Sequence, residues 1–383
     1  MTPCKWLVAS LVAVSACLTT PASLAGQPPA QLTVPAGFQL TVFADSIENP
    51  REMVRGPGGT IFVGTLRAGK VHAIVDTNGD QRADRVVLIA SGLDQPNGVA
   101  FRGSALYVAT AGQILRYDDI ERRLDSPPRP IVVRDSLPSQ DRRGHRWKFI
   151  GFGPDGMLYI SSGAPCNVCV APVNVSAILR MPPDGSSLET YAAGVRNSVG
   201  FDWHPDSREL WFTDNGRDMM GDDVPNDELN VAWRAGMHFG FPYCHQGDVA
   251  DPEFGAQRAC ATTEPPVQKL GAHVAALGFT FYTGRMFPAS YRNAVIIALH
   301  GSWNRSVPSG YRVMVARTDG RRVTSYEPLV DGFLAGANAA TGGRAAGNAA
   351  IGRPADVMQL PDGSILISDD SGNRVYRLSY GRQ

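Results

Sequence analysis

Short runs of alternating apolar and polar residues recur along the chain, and most of them follow a turn that resembles Pro-Asp-Gly. Alternation with a period of two is typical of half-buried antiparallel strands, and turns between strands favour Pro, Asp and Gly. The pattern predicts repeated units, each made of a turn and a β-branched or aromatic strand. The units begin at Pro57, Gly103, Pro154, Pro205, Tyr291 and Pro361. Following strands that close hairpins are predicted at 70–74, 113–117, 177–181 and 374–378.

Six units of this kind predict an all-β fold, a six-bladed β-propeller of four-stranded antiparallel blades. A blade of that size hides its faces only against neighbouring blades, so the units must close into a ring. A β-sandwich is the main alternative, but it would not need six similar hairpins. Residues 33–383 are predicted to form this single domain. The polar, glycine-rich stretch at 218–263 predicts an insertion that lies over one face of the ring.

The composition agrees with this predicted fold, and it argues against one class of binding partner. The chain has 383 residues, of which 43% are hydrophobic, and its 41 glycines and 28 prolines suit many short strands and tight turns. Basic and acidic side chains are equal in number, at 36 each. The protein therefore lacks the positive field that polyanions need, and nucleic acid is not an expected partner.

The N-terminus reads as an export signal. Lys5 supplies positive charge, and the apolar stretch at 6–16 is too short to span a bilayer. Cleavage is expected either before Cys17, which would then carry a lipid anchor, or after Ala25. Residues 26–32 would form a flexible leader. We therefore expect an exported, periplasmic protein, either soluble or lipid-anchored.

Four cysteines remain outside the targeting segment. An even number in an oxidising compartment favours two disulfides, one between Cys166 and Cys169 and one between Cys244 and Cys260. A zinc site is the alternative, because Cys166 and Cys169 have zinc-like spacing, but no second pair matches it. Val170 follows Cys169, so this pair does not form a haem attachment motif.

Two segments that precede predicted blade turns carry candidate catalytic side chains. His145 would lead into an inner strand, where its imidazole titrates near neutral pH and can act as a general base. A surface histidine is the alternative. Arg196 offers a planar donor fork for carboxylates and Asn197 a directional amide, although both would also suit a structural turn.

Two acidic stretches are candidate cation sites. The carboxylates and opened backbone carbonyls at 214–230 suit a hard cation such as calcium, and a solvated acidic loop is the alternative. The loop from Asp76 to Asp84 places oxygen side chains at alternate positions, but Val87 stands where a calcium loop has its last glutamate. That loop is either a structural calcium site or a plain turn.

Trp303 could stack on a flat ligand or belong to the core.

Taken in order, these motifs resemble the soluble quinoprotein sugar dehydrogenases, and most closely their sorbosone-dehydrogenase-like branch. The resemblance covers about residues 33 to 380. No single motif is specific, but their shared order across six units is. The motifs are 95–101, the segment around His145, 163–169, 196–197, 214–230, 301–305, 353–356 and 368–370.

The resemblance implies that pyrroloquinoline quinone (PQQ) lies on one face near the central channel, with Ca²⁺ polarising its C5 carbonyl. It implies a catalytic role for His145, as the base that takes a hydroxyl proton from a sugar, sugar aldehyde or polyol, and for Arg196. The implied cofactor-binding residues are Gln95, Asn97, Arg196, Asn197, Trp303, Arg305, Arg353, Asp369 and Asp370. The implied metal site is Gly216, Arg217, Asp227 and Glu228. A separate electron acceptor, a cytochrome or a quinone, is also implied.

Departures from the glucose-oxidising members limit this inference. Gly216 and Arg217 stand where those proteins have Gly-Pro, no lysine aligns near 303–305, and the segment 166–169 replaces an acidic loop. Glucose is therefore not assumed as the substrate. Two other functions stay open at this point. They are a calcium-dependent propeller lactonase or related hydrolase, and a non-catalytic exported binding scaffold.

Overall fold

The computed structural model describes residues 26–138, 144–334 and 350–381. Within these ranges six β-sheets form a ring, which confirms the predicted six-bladed propeller. In the described ranges, no helix has the length and apolar character needed to cross a membrane. The helices found there are four short 3-10 helices, Ile120–Arg122, Gly255–Gln257, Cys260–Thr262 and Ala289–Tyr291. The predictions for the signal and for a lipid at Cys17 fall outside the described residues.

In most blades the strands follow one another outward from the hub, so the first strand is innermost. The chain begins with β1 (Phe38–Ala44), which belongs to the last blade. Blade 1 contains β2 (Pro50–Arg55), β3 (Ile61–Thr65), β4 (Val71–Val75) and β5 (Arg85–Ala90). Blade 2 contains β6 (Gly98–Arg102), β7 (Ala105–Ala109), β8 (Ile114–Tyr117) and β9 (Ile131–Arg134). Blade 3 contains β10 (Ile150–Phe152), β11 (Leu158–Ser162), β12 (Ala177–Met181) and β13 (Glu189–Ala193).

The second half of the ring contains a long excursion. Blade 4 starts with β14 (Phe201–Trp203), β15 (Leu210–Asp214) and β16 (Asn226–Ala232). The chain then forms β17 (Met237–His238), which pairs in parallel with β13, and the hairpin of β18 (Cys244–His245) and β19 (Val249–Ala250). It returns to blade 4 as β20 (Gln268–Ala272). Blade 5 contains β21 (Ala276–Phe281), β22 (Val295–Leu299), β23 (Arg312–Asp319) and β24 (Arg322–Val330). Blade 6 contains β25 (Pro354–Gln359), β26 (Ile365–Asp369) and β27 (Arg374–Tyr380), with β1 outermost.

The repeated turns connect the first and second strands of the blades. In blade 3, the Asp155 carboxylate accepts the backbone N–H of Met157 at 3.0 Å, and Gly156 has φ 77°. Glycine adopts this left-handed conformation without strain. Asp362 and Gly363 form the corresponding turn in blade 6. The strands predicted to close hairpins are the third strands of their blades.

The ring is closed by its two ends. Strand β1 pairs antiparallel with β27, with Phe38 opposite Tyr380. The Phe38 ring also packs edge-on against Phe287 of blade 5, with centroids 4.8 Å apart. Just before β1, Thr33 forms a bridge with Asp331. The N-terminal strand therefore completes the last blade, so this sheet gains a paired outer strand.

The innermost strands approach one another closely at the hub, and glycines allow this. A Cβ at Gly200 would lie 2.3 Å from the Leu277 carbonyl oxygen. A Cβ at Gly278 would lie 2.0 Å from a carboxylate oxygen of Asp356. Atoms cannot come this near without displacement of the backbone. The contact between neighbouring blades therefore requires glycine at these positions.

The expected insertion at 218–263 is partly a regular strand, which corrects its predicted extent. Strand β16 lies inside it, so the excursion begins only after Ala232. Asp227, Glu228 and Asn230 are buried in this strand. Their polar character hid the strand from pattern analysis, because buried strands are usually apolar.

Both predicted disulfides are present. Cys166 and Cys169 are bonded in the connection between β11 and β12, with Cα atoms 6.2 Å apart. Cys244 and Cys260 are bonded within the excursion of blade 4, with Cα atoms 5.2 Å apart. The sulfur atoms of all four cysteines are thus committed to disulfides, and the alternative of a zinc site at Cys166 and Cys169 is not supported.

The close approach at the hub generates a stability prediction. Gly200→Ala should lower the free energy of unfolding by about 1–3 kcal/mol, because the added methyl group meets backbone atoms of the next blade. Gly112→Ala is the matched control, since a Cβ there has no atom within 4 Å and its backbone is not left-handed. Urea unfolding of both variants measures the difference. Equal stability of the two variants would contradict the proposed packing constraint.

Candidate active site

A cavity of about 1210 Å³ opens at the hub, and all six blades contribute to its wall. The wall is formed near the starts of the innermost strands and after the second strands, because these segments meet at one end of the hub. Residues of the first group are Asn49, Arg51, Gln95, His145, Trp147, Arg196, Asn197, His273 and Arg353. Residues of the second group include Arg67, Asn215, Asp218, His300, Trp303, Asn304, Asp370 and Asn373.

His145 is held in one tautomer by a backbone carbonyl. Its backbone N–H and its ring Nδ1 lie 3.0 and 2.9 Å from the Ala164 oxygen. A carbonyl only accepts hydrogen bonds, so Nδ1 carries the proton and Nε2 keeps a lone pair. Burial and the charge of Arg196 lower the pKa of His145 to about 3. The imidazole is therefore neutral near neutral pH and can accept a proton at Nε2.

Arg196 is buried in the wall, and most of its donors are already used. Its Nε donates to the Asn167 carbonyl oxygen at 2.8 Å, and Nη1 donates to the Asn215 carbonyl oxygen at 3.2 Å. Nη2 donates to Asn167 Oδ1 at 3.0 Å and to Asp218 Oδ2 at 3.1 Å. A guanidinium has five N–H groups, so these four bonds leave one, on Nη1, without a partner in the described part of the chain.

Asp214 fixes the backbone from which Arg196 projects. This carboxylate ends β15, and its two oxygens accept the backbone N–H groups of Arg196 and Asn197 at 2.8 and 2.6 Å. Burial raises the pKa of Asp214 to about 7, while the two amides and the Arg196 charge oppose that shift. The buried carboxylate of Asp214 therefore holds the turn before β14 in place.

On the opposite wall, His300, Asp370 and Arg51 form a chain of polar contacts. His300 Nε2 lies 2.9 Å from Asp370 Oδ1, and Arg51 Nη1 donates to Asp370 Oδ2 at 2.9 Å. Burial lowers the pKa of His300 to about 4. Arg353 donates to the carbonyl oxygens of His300 and Gly301 at 2.9 and 2.6 Å. Among the described residues, Arg51 and Arg353 each find partners for two of five side-chain N–H groups, so three remain on each.

The turn at Gly216, a candidate metal site, is held by buried Asp227, and a second buried acid, Glu228, follows it in the same strand. Asp227 accepts the backbone N–H groups of Gly216 and Ala275 at 2.8 and 2.6 Å. Glu228 accepts the backbone N–H of Gln246 at 2.6 Å. Burial raises the pKa of Asp227 to about 6 and that of Glu228 to about 8. Among the described residues, no group of three or more His, Cys, Asp or Glu side chains is arranged to hold a metal.

The cavity brings together most of the residues predicted from the sequence. Those in its wall are Gln95, His145, Arg196, Asn197, Gly216, Asp227, Trp303, Arg353 and Asp370. Those that lie outside its wall are Asn97, Arg217, Glu228, Arg305 and Asp369. Their roles in binding stay predictions. Their positions behind the cavity indicate that they hold wall residues or neighbouring loops in place.

Asn97 and Asp369 each hold an arginine of the wall. Asn97 accepts a hydrogen bond from Arg51 Nε at 3.0 Å. Asp369 accepts the backbone N–H of Arg353 at 2.7 Å, and burial raises the pKa of Asp369 to about 6. Both side chains are fully or nearly fully buried.

Arg217 and Arg305 point into neighbouring loops. Arg217 pairs with the buried carboxylate of Asp251, inside the excursion of blade 4. Arg305 donates to the Asp222 carbonyl oxygen at 2.6 Å and to Asp223 Oδ1 at 3.1 Å. The side chain of Arg305 thus ties two loops together. Only the backbone of Arg217 remains a candidate for contact with a metal.

A family model described as TrAA12-like matches residues 32–380. The chain belongs to the TrAA12-like family. The resemblance to quinoprotein sugar dehydrogenases is thereby confirmed at the level of the family, whereas the sorbosone-dehydrogenase-like branch is not distinguished. A curated relative from Borreliella burgdorferi, an uncharacterised protein, is 33% identical over 362 residues, which is 91% of each chain.

Solved structures with the same fold include sugar dehydrogenases. The holo PQQ domain of pyranose dehydrogenase from Coprinopsis cinerea matches with a TM-score of 0.76 at 17% identity, over 92% of this chain and 98% of that one. A calcium structure of a Trichoderma reesei family AA12 protein matches with a TM-score of 0.77 at 18% identity, over 91% and 97%. Soluble aldose sugar dehydrogenase from Escherichia coli matches with a TM-score of 0.64 at 18% identity, over 90% and 99%. At these identities the likeness demonstrates the fold.

Sequence reasoning missed several wall residues of this TrAA12-like protein, above all Arg51 and His273. His300 likewise had no role assigned from the sequence. A positional signal could have found Arg51, because it precedes its blade turn by six residues, much as His145 and Arg196 precede theirs by nine. No such offset marks His300, which follows a second strand.

The candidate calcium loop from Asp76 to Asp84 lies away from the cavity. Asp76 accepts the backbone N–H groups of Gly79 and Gln81 at 2.8 and 3.0 Å. Asp84 accepts the backbone N–H of Thr77 at 2.7 Å. These bonds form a compact exposed turn, and calcium binding there stays a prediction.

The environment of His145 generates a pH prediction. Its folded pKa lies below the usual value, so the unfolded chain binds this proton more readily between about pH 6.5 and 3. The contribution of His145 to stability is thus present above about pH 6.5 and is lost as the pH falls. In ¹⁵N NMR spectra of the apo protein, assigned with His145→Gln, the ring should stay neutral with its proton on Nδ1 down to about pH 5. Titration near pH 6.5 would contradict the assignment.

Proposed function

We propose that this protein is a quinoprotein oxidoreductase that oxidises a sugar, sugar aldehyde or related polyol with PQQ as cofactor. One observation carries the proposal. The lone pair of a neutral histidine, His145, shares a cavity with the guanidinium groups of Arg51, Arg196 and Arg353. A proton acceptor and donors suited to carboxylates are the groups that such a reaction needs. The family and the named structures support the same reaction class.

Unpaired polar atoms in the wall, two acceptors and one donor, fit a polar ligand that both donates and accepts hydrogen bonds. Within the described residues, Gln95 Oε1, Trp147 Nε1 and Asn304 Oδ1 are buried and lack a hydrogen-bond partner. All three residues line the cavity. Buried polar atoms are normally paired, so unpaired atoms around one cavity indicate a ligand site. The free N–H groups of Arg51 and Arg353 would bind the carboxylates of PQQ, and Trp303 offers an aromatic face.

In this mechanism the protein moves one proton and orients the substrate. PQQ, when bound, supplies a carbonyl that accepts a hydride from the substrate carbon. His145 Nε2 accepts the hydroxyl proton of the substrate, and the Ala164 carbonyl keeps the ring in the required tautomer. Anionic carboxylates near Arg196 would raise the low pKa of His145, because they offset the charge of Arg196. The base therefore becomes stronger once the cavity is occupied.

The proposal includes a calcium ion at the turn of Gly216 and Arg217. In the described residues the carboxylates of Asp227 and Glu228 are already occupied by amide donors, so the backbone carbonyls of the turn are the better candidates. Backbone carbonyl oxygens are ligands that calcium accepts. Calcium would polarise a carbonyl of the cofactor as a Lewis acid. We further propose an exported location and a separate electron acceptor, a cytochrome or a quinone.

Reconstitution tests the proposed function. Protein incubated with calcium and PQQ should reduce an artificial dye when aldoses, sorbosone or polyols are added. Removal of calcium with a chelator should abolish turnover while far-UV circular dichroism stays unchanged, because the ion acts on the cofactor more than on the fold. Absence of turnover with every substrate, together with hydrolysis of lactones, would favour the hydrolase. Absence of both activities would favour a binding scaffold.

Substitution of His145 tests whether this residue acts in the chemical step and not in cofactor binding. His145→Ala should lower kcat at least about a hundredfold, because a general base contributes about that much or more. The Kd for PQQ, measured by titration, should change little. His72→Gln is a matched control, since His72 does not line the cavity. A kcat for His145→Ala equal to that of the wild type would remove His145 from the mechanism.

A further inference from the structure

The short disulfide loop between β11 and β12 contacts the wall of the cavity through one residue. Asn167 lies inside the ring closed by Cys166 and Cys169. Its carbonyl oxygen accepts from Arg196 Nε at 2.8 Å, and its Oδ1 accepts from Arg196 Nη2 at 3.0 Å. One asparagine therefore accepts two hydrogen bonds from the edge of the guanidinium formed by Nε and Nη2.

The same side chain also holds the loop that follows β15. Asn167 Oδ1 accepts the backbone N–H of Asp218 at 2.8 Å, and Asn167 Nδ2 donates to the Asp218 carbonyl oxygen at 2.9 Å. The Asp218 carboxylate in turn accepts from Arg196 at 3.1 Å. These contacts form a closed network of three residues from two blades, and only 5% of the Arg196 side chain is exposed.

The disulfide supplies the rigidity that this network needs. A cross-link restricts the conformations open to the residues that it encloses, and the enclosed segment here has only two residues. The surrounding loop is otherwise open to solvent, with Val170 and Val173 exposed by 55% and 87%. An exposed loop is usually among the more mobile parts of a fold. The cross-link therefore explains how such a loop can hold a buried arginine.

We propose that Asn167, enclosed by the Cys166–Cys169 disulfide, is a positioning residue that fixes the guanidinium of Arg196 in the cavity wall. It leaves one N–H of Arg196 for an anionic group and keeps the positive charge beside His145. The part of this inference that concerns an anionic cofactor rests on the proposed function. The part that concerns the position of Arg196 does not.

Chemical labelling tests the position of Arg196 without any assumption about activity. Apo protein is treated with phenylglyoxal, and modification of Arg196 is followed by peptide mass spectrometry. Asn167→Ala should speed modification of Arg196 at least about tenfold, because the side-chain hydrogen bond to its charged Nη2 and the two side-chain bonds to the Asp218 backbone are lost. The variant Cys166→Ser/Cys169→Ser should speed it as well. Substitution is preferable to a reductant, which would also open Cys244–Cys260.

The labelling experiment has two controls, a second variant in the same loop and a second arginine in the cavity wall. Val173→Ala lies in the same loop, is exposed, and should label like the wild type. Modification of Arg353, on the opposite wall, should be equal in all variants. Melting curves show whether each variant is folded, and if Asn167→Ala does not fold, the cysteine variant decides. Unchanged labelling of Arg196 in the folded variants would overturn the proposal.

Cofactor titration tests the functional part. Asn167→Ala should raise the Kd for PQQ about tenfold, and it should have no further effect in an Arg196→Lys background, because residues that act through one another are not additive. Independent effects of the two substitutions would show that Asn167 does not act through Arg196. If the wild type does not bind PQQ, the proposed function fails, and the labelling result still decides whether Asn167 positions Arg196.

Discussion

Each innermost strand of the ring has a sheet neighbour on one side only, so backbone N–H groups at the hub need other acceptors. Buried carboxylates supply them. Asp214 ends the second strand of blade 4 and accepts two amides from the turn before the first strand. Asp369 ends the second strand of blade 6 and accepts the amide of Arg353, just before the first strand. Asp356 of blade 6 accepts the amide of Met53 in blade 1. The positions of the wall side chains depend on these bonds, because the acids accept the backbone N–H groups of wall residues such as Arg196, Asn197 and Arg353.

This arrangement gives the cavity its electrostatic character. The acids under the wall are costly to ionise, and burial raises the pKa of Asp214, Asp227 and Asp356. The arginines above them are partly neutralised but keep N–H groups that have no hydrogen-bond partner among the described residues. His145 stays neutral because burial and Arg196 both disfavour its charged form. A preformed set of donors around an unprotonated nitrogen can stabilise developing negative charge without first reorganising.

The predictable part of the site follows from position along the repeat. His145, Arg196 and Arg353 precede blade turns by eight or nine residues, and such segments must reach one end of the hub in every blade. Residues that support the wall were harder to separate from those that form it. Asn97 and Asp369 have suitable side chains in suitable segments, but they are buried one layer further from the cavity. Which of two neighbouring residues faces the cavity depends on strand register and local turns, and these are set by packing.

The sequence by itself determined the all-β class, the six repeats, the two disulfides and the family, because strand alternation, turn chemistry and cysteine pairing are local or nearly local properties. Only the tertiary structure decided which side chains meet. The contact of Asn167 with Arg196, the pairing of Arg51 with Asp370 across 319 positions, and the buried strand with Asp227 and Glu228 join residues that local patterns do not relate. Closing the ring brings the starts of all innermost strands to one hub. The side chains therefore form one site only because the ring closes.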